Sequence, residues 1–187
     1  MAEPAQPCMT LAEFLEWDDG TDTRYELIHG VPVAMAPPSP AHAFLAGNVA
    51  TWIGQRLRVP CRLGMQGGIV RPDKSDDSFL IADLVVSCTP QDRRARWIVD
   101  PVVIVEVSSP STAGRDRSAK LDAYRSIPSV REILLLWSEE RRALLHRRVT
   151  DGWLLQDYIG DAAIPLDSVG IELPLAEVYR DVPLHEP

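Results

Sequence analysis

A chain of 187 residues with 45% apolar and 25% charged side chains has the composition of a soluble globular protein, and we expect one domain over residues 1–187. Its formal net charge of −8 and pI near 5.0 argue against a protein that coats nucleic acid with a dense basic surface. They leave room for a metal-dependent enzyme, whose site is itself acidic. No apolar run approaches the roughly 20 residues of a membrane-spanning helix, and residues 1–9 lack the basic-then-apolar pattern of a secretory signal.

The first predicted element is a helix over residues 10–17 (TLAEFLEW), with Thr10 and Glu13 at capping-box spacing and Leu11, Phe14 and Leu15 on one face. After a polar turn, residues 24–35 (RYELIHGVPVAM) predict a hairpin around Gly30. Pro37, Pro38 and Pro40 break the chain before a helical pattern over 42–58, where Leu45, Val49, Trp52, Ile53 and Leu57 share a face. Residues 62–71 read as a strand interrupted by Gly67 and Gly68.

Two strongly apolar strands follow, FLIADLVVS over 79–87 and PVVIVEVS over 101–108, joined by a basic loop holding Arg93, Arg94 and Arg96. Runs this hydrophobic suit strands covered on both faces. A turn at Pro110–Thr112 leads to a helix over 115–127, a buried strand over 132–137, and a hairpin of 143–149 with 153–158 through Asp151-Gly152. The tail, residues 161–187, predicts a short strand or two and a final turn. The core then spans about 24–160, an α/β sandwich with a mixed central sheet rather than a doubly wound one.

The three cysteines, Cys8, Cys61 and Cys88, lack metal-ligand spacing. They read as reduced thiols of a cytoplasmic protein.

Asp83 and Glu106 are single charges inside otherwise apolar strands. A carboxylate there loses solvation unless it is paired, protonated or bound to a cation. If the two strands pair, both could converge on one Mg²⁺ or Mn²⁺, ions that favour oxygen ligands and keep several waters. The alternative places each at a strand end, in solvent or against an arginine.

The stretches PVVIVEVSSPST and RDRSAKLDAYRS, with YELIHGVPVAM, SPAH and IADLVVS upstream, resemble in order and spacing the Uma family, a branch of the PD-(D/E)XK nuclease superfamily. The resemblance runs from about Thr10 to Tyr179. It implies a restriction-endonuclease-like α/β sandwich with an N-terminal helix-hairpin extension. It also implies Mg²⁺- or Mn²⁺-dependent endonuclease activity on nucleic acid, with DNA the expected substrate. By position, Asp83 and Glu106 would be the acidic ligands and the Val107 carbonyl a further one. Ala82 stands where a proline is common. Ser108 stands where a lysine is usual, and Lys120 on the next helix would take that lysine's role.

Around this set, Glu26 would add an early acidic residue, or else face water from the hairpin. His42 would meet phosphate or assist proton transfer, or else cap its helix or fill a polar contact. Tyr124, one turn beyond Lys120, would orient the lysine or fill the core. Lys120 itself has a second reading, a pair with Asp116 on a solvated helix face. Arg115 and Arg117, with the cluster Arg141, Arg142, Arg147 and Arg148, would contact phosphates or form a solvated face. The rival to an enzyme is an inactive nuclease fold that binds nucleic acid or acts as a regulatory homodimer, for which the apolar late segment offers an interface.

Overall fold

A computed structural model describes residues 8–70, 77–108 and 115–184, with the side chains of 115–118 left out. The first helix, α1 (Leu11–Glu16), starts on a complete capping box: Thr10 Oγ1 accepts from the Glu13 N–H, and the Glu13 carboxylate accepts from the Thr10 N–H. β1 (Tyr25–Ile28) and β2 (Val31–Ala34) form an antiparallel hairpin. Its turn residues His29 and Gly30 both have positive φ, 50° and 78°, the mirror-image turn that matches strand twist. Added bulk at Gly30 would also strike the Cys8 sulfur.

α2 (Pro40–Gly54) begins two residues before the expected start and ends four before the expected end. Pro40, expected to break the chain, instead opens the helix, because a first-turn residue needs no N–H partner. Ser39 caps it by accepting from the His42 N–H at 3.2 Å. The remaining elements are β3 (Arg62–Val70), β4 (Phe79–Ser87), β5 (Pro101–Ser108), α3 (Arg115–Ser126), β6 (Glu132–Trp137), β7 (Arg142–Val149) and β8 (Gly152–Ile159). The tail folds into β9 (Ala163–Leu166), β10 (Ile171–Pro174) and α4 (Leu175–Val178).

Eight strands form one sheet in the order β2-β1-β4-β5-β6-β7-β8, with β3 also on β4; β9 and β10 pair separately. The sheet is mixed but mostly antiparallel, since only β5 and β6 run parallel, joined through α3. Alternation along β5 builds two cores. Val103, Val105 and Val107 face α2 and the tail, while Ile104 faces Ala123 and Tyr124 of α3 and Ile127 just beyond it.

The register of β3 and β4 sets Arg62 opposite Ser87, so the adjoining Cys61 and Cys88 meet and are disulfide-bonded. This corrects the expectation of three reduced thiols, and the case for a reducing compartment built on cysteine usage falls with it. The pairing is a property of long-range register, which a search for C-x-x-C spacing does not see. No helix among the described residues is long and apolar enough to cross a membrane.

One feature of the sheet positions the chemistry. β3 covers one edge of β4 from Phe79 to Ser87. The other edge is shared: β5 pairs with Leu84 to Ser87, and β1 with Phe79 alone. Between them, Leu80 to Asp83 face no paired strand on that side. β1 and β5 therefore part like a fork, and the backbone groups at the fork need other partners.

Candidate active site

Side chains of the fork supply those partners. Glu26 of β1 accepts from the Ile81 N–H at 2.6 Å, and Asp83 of β4 accepts from the Val107 N–H at 2.7 Å. Two carboxylates thus replace ladder bonds that the diverging strands do not make, a charge-assisted exchange.

On the α2 side, His42 Nε2 lies 3.1 Å from Asp83 Oδ2, the same oxygen that takes the Val107 N–H. His42 is therefore not the helix cap; Ser39 is, and the imidazole turns to the acid. Burial pulls the His42 pKa down, but the hydrogen bond and charge of Asp83, with the charge of Glu106, outweigh it and leave the net shift upward.

On the α3 side, Lys120 Nζ lies 2.9 Å from Glu26 Oε1, 2.9 Å from Glu106 Oε1 and 3.1 Å from the Ile81 carbonyl oxygen. Its side chain is 16% exposed, so it is not on a solvated helix face. The two carboxylates hold its pKa above the usual lysine value, against the opposing effect of burial. Tyr124 is fully buried and donates its hydroxyl hydrogen to Glu106 Oε1. Of the two readings of Tyr124 the structure shows the core one, and its hydroxyl engages the acid, not the lysine. Burial and the neighbouring carboxylates push its phenol well above the ordinary range.

Glu106 carries the clearest perturbation. Burial raises its pKa from 4.5 to about 7; Lys120 opposes the rise, and the charge of Asp83 adds to it. A carboxyl poised in this way beside a second acid marks a site that favours added positive charge.

Glu26, Asp83 and Glu106 share one pattern. In each, the protein's donors converge on a single oxygen: Oε1 of Glu26, Oδ2 of Asp83 and Oε1 of Glu106. Among the described residues no donor reaches the other oxygen, and none of these three oxygens is sealed from solvent. Ser108, two residues beyond Glu106 on the same face of β5, has a buried hydroxyl oxygen with no partner among the described residues. In the sequence Ser108 stands at the place of the usual lysine and is an accessory candidate beside Glu26, His42 and Tyr124.

Among the described residues no group of three or more His, Cys, Asp or Glu side chains is arranged to hold a metal ion. The open oxygens of Asp83 and Glu106 are a hard, incomplete donor set. That chemistry fits an ion that retains waters and shares sites with a substrate, and it does not fit a closed structural zinc site.

The structure engages the late arginines internally. Arg142 pairs with Asp157, Arg147 with Glu132 and Asp167, and Arg148 donates to the carbonyls of Val130, Arg125 and Ile127. Arg141 stands 3.5 Å from Asp161. The side chains of Arg115 and Arg117 lie outside the described residues. A cavity of about 600 Å³ lined by Trp52, Arg56 and Glu172 includes none of the fork's residues.

Known proteins align with this arrangement over most of its length. The "Uncharacterized protein slr1290" of Synechocystis sp. is 27% identical over 177 residues, covering 93% of each chain. The "Uncharacterized protein sll1609" of the same organism is 30% identical over 165 residues, covering 83% of this chain and 90% of its own. A crystal structure of a "putative nuclease belonging to DUF820" from Anabaena variabilis superposes with a TM-score of 0.70 at 18% identity, covering 91% of this chain and 97% of the other. That likeness establishes the fold, a mixed α/β arrangement consistent with a restriction-endonuclease-like architecture. The sequence profile that matches residues 11–176 settles the family: the chain belongs to Uma2, described as "Putative restriction endonuclease".

Proposed function

We propose that the protein is a divalent-metal-dependent endonuclease that hydrolyses phosphodiester bonds in DNA. The observation that carries this reading is the pair of open carboxylate oxygens, Asp83 Oδ1 and Glu106 Oε2, just beyond the end of the β4–β5 ladder and beside the half-buried Lys120. Asp83, Glu106 and the Val107 carbonyl would hold Mg²⁺ or Mn²⁺. When bound, such an ion polarises the scissile phosphate and acidifies a water.

The chain's own residues do the rest. The Val107 N–H and His42 fix the Asp83 carboxylate in one orientation. Tyr124 and Lys120 do the same for Glu106. Lys120 brings the positive charge that steadies negative charge developing on phosphate. No covalent intermediate is required.

The test is cleavage of plasmid DNA, single-stranded DNA and RNA with Mg²⁺ or Mn²⁺, with and without EDTA, beside an Asp83→Ala control. We expect metal-dependent nicking of DNA by the native protein and a loss of about 100-fold or more in the variant. Cleavage at the native rate by Asp83→Ala would remove Asp83 from the mechanism. The second reading, a nuclease fold that binds without cleaving, draws on Lys120, which is fully engaged by protein acceptors. It predicts nucleic-acid binding with no heat of Mn²⁺ binding in calorimetry.

The homodimer expected from sequence would form along β8. This edge strand leaves Leu154, Leu155 and Ile159 exposed, with unpaired backbone groups along one side. A second copy is the occupant that fits. Two antiparallel copies of the same edge are self-complementary about a two-fold axis, and the strand's one charge, Asp157, is already neutralised by Arg142. Light scattering after size exclusion should give a dimer, and Leu155→Lys a monomer; a monomeric native protein would refute the interface.

A further inference from the structure

Lys120 has three ammonium hydrogens and three acceptors: Glu26 Oε1, Glu106 Oε1 and the Ile81 carbonyl. With all three engaged, it has no hydrogen to offer a phosphate or a water. A lysine that acts on substrate must first let one acceptor go.

The three acceptors are not equivalent. Glu26 is 7% exposed, and its Oε1 is pinned by the Ile81 N–H. The Ile81 carbonyl belongs to β4 and cannot move without the strand. Glu106 is the third, and it alone of the three belongs to the pair of acids, with Asp83, that would hold the ion. A cation on its open oxygen would draw charge from the carboxylate and repel the ammonium at 2.9 Å.

We propose that Glu26 and the Ile81 carbonyl form a fixed cradle for Lys120, while Glu106 is its releasable partner. In this scheme a divalent ion frees one ammonium hydrogen toward the substrate side. Glu26 is then a positioning residue, neither a further metal ligand nor a surface charge. Without the ion, Lys120 serves as internal counter-ion to two buried acids. This inference rests on the metal-dependent reading above and adds a coupling between ion binding and the lysine.

The experiment follows the Lys120 ammonium by ¹⁵N NMR, its signal assigned by its loss in Lys120→Met, while Mg²⁺ binding is measured on the same samples by calorimetry. In the native protein the signal should be protected without Mg²⁺. Its hydrogens should exchange about tenfold faster, or more, at saturation, as one of three hydrogen bonds is lost. In Glu26→Gln, whose amide oxygen still accepts from Ile81, Mg²⁺ should abolish the signal altogether, because the cradle no longer holds a charged partner. Lys120→Met should bind Mg²⁺ about tenfold more tightly, since the competing cation is gone. Binding of Mg²⁺ with no change in the lysine signal overturns the coupling and leaves the nuclease reading standing. Absence of any Mg²⁺ binding by the native protein overturns both.

Discussion

Glu106→Gln will lower metal-dependent cleavage by about 100-fold or more and at the same time make the ion-free fold more stable above pH 7. The two effects have one cause. Burial raises the folded-state pKa of Glu106 to about 7, above the ordinary 4.5, so folding favours the protonated acid over the carboxylate. The penalty is absent below the unfolded value. It grows as pH rises through the interval from 4.5 to about 7 and is complete above it, where it amounts to about 3 kcal/mol. Glutamine keeps the size of the side chain and an oxygen that can accept from Tyr124, but it carries no charge to desolvate. Thermal unfolding in EDTA at pH 8 and at pH 4.5 tests the sign: the variant should gain at the higher pH and gain little at the lower. A variant destabilised at pH 8 would show that Lys120 more than offsets the burial of this acid.

Glu132→Ala will be the most damaging single change outside the fork, costing about 3–5 kcal/mol. Glu132 is 1% exposed and opens β6 directly opposite Arg147 of β7. It accepts from the Arg147 guanidinium, from the backbone N–H groups of Asp167 and Ser168, and from the Ser168 hydroxyl. Removing it strands those donors and unties the β9–β10 turn from the central sheet. Arg147 retains Asp167 at 2.9 Å and the Pro165 carbonyl, which limits the loss. The melting temperature should fall by about 10 °C, using roughly 2–4 °C per kcal/mol for a protein of this size. A fall of 2 °C or less would mean that water replaces the carboxylate without cost.

The two acids at the fork were legible in the sequence because each interrupts an apolar run, and a lone charge in such a run needs a reason. The capping box at Thr10 and Glu13, the hairpin at Gly30 and the strands around Asp83 and Glu106 were also readable, since each depends on neighbours within a few positions. What binds Glu26 to Ile81, His42 to Asp83, or Cys61 to Cys88 is strand register over tens of residues, and local pattern does not encode it. The same limit hid Glu132, which in sequence is only the polar first residue of EILLLW. The arginines at 142, 147 and 148 read in sequence as phosphate contacts or a solvated face for a related reason. Sequence shows where cations sit along the chain, and the fold decides which carbonyls and acids already claim them.

The parting of β1 from β5 also bears on the order in which competence arises. Glu26 contributes from near the start of the chain and Lys120 from well past its middle, with β4 between them. During synthesis, a nascent polypeptide that has not yet emerged through residue 120 carries its acids together with no ammonium to balance them. In the nuclease proposed above, the centre would close only after α3 has docked, which would leave a half-made molecule unable to cleave.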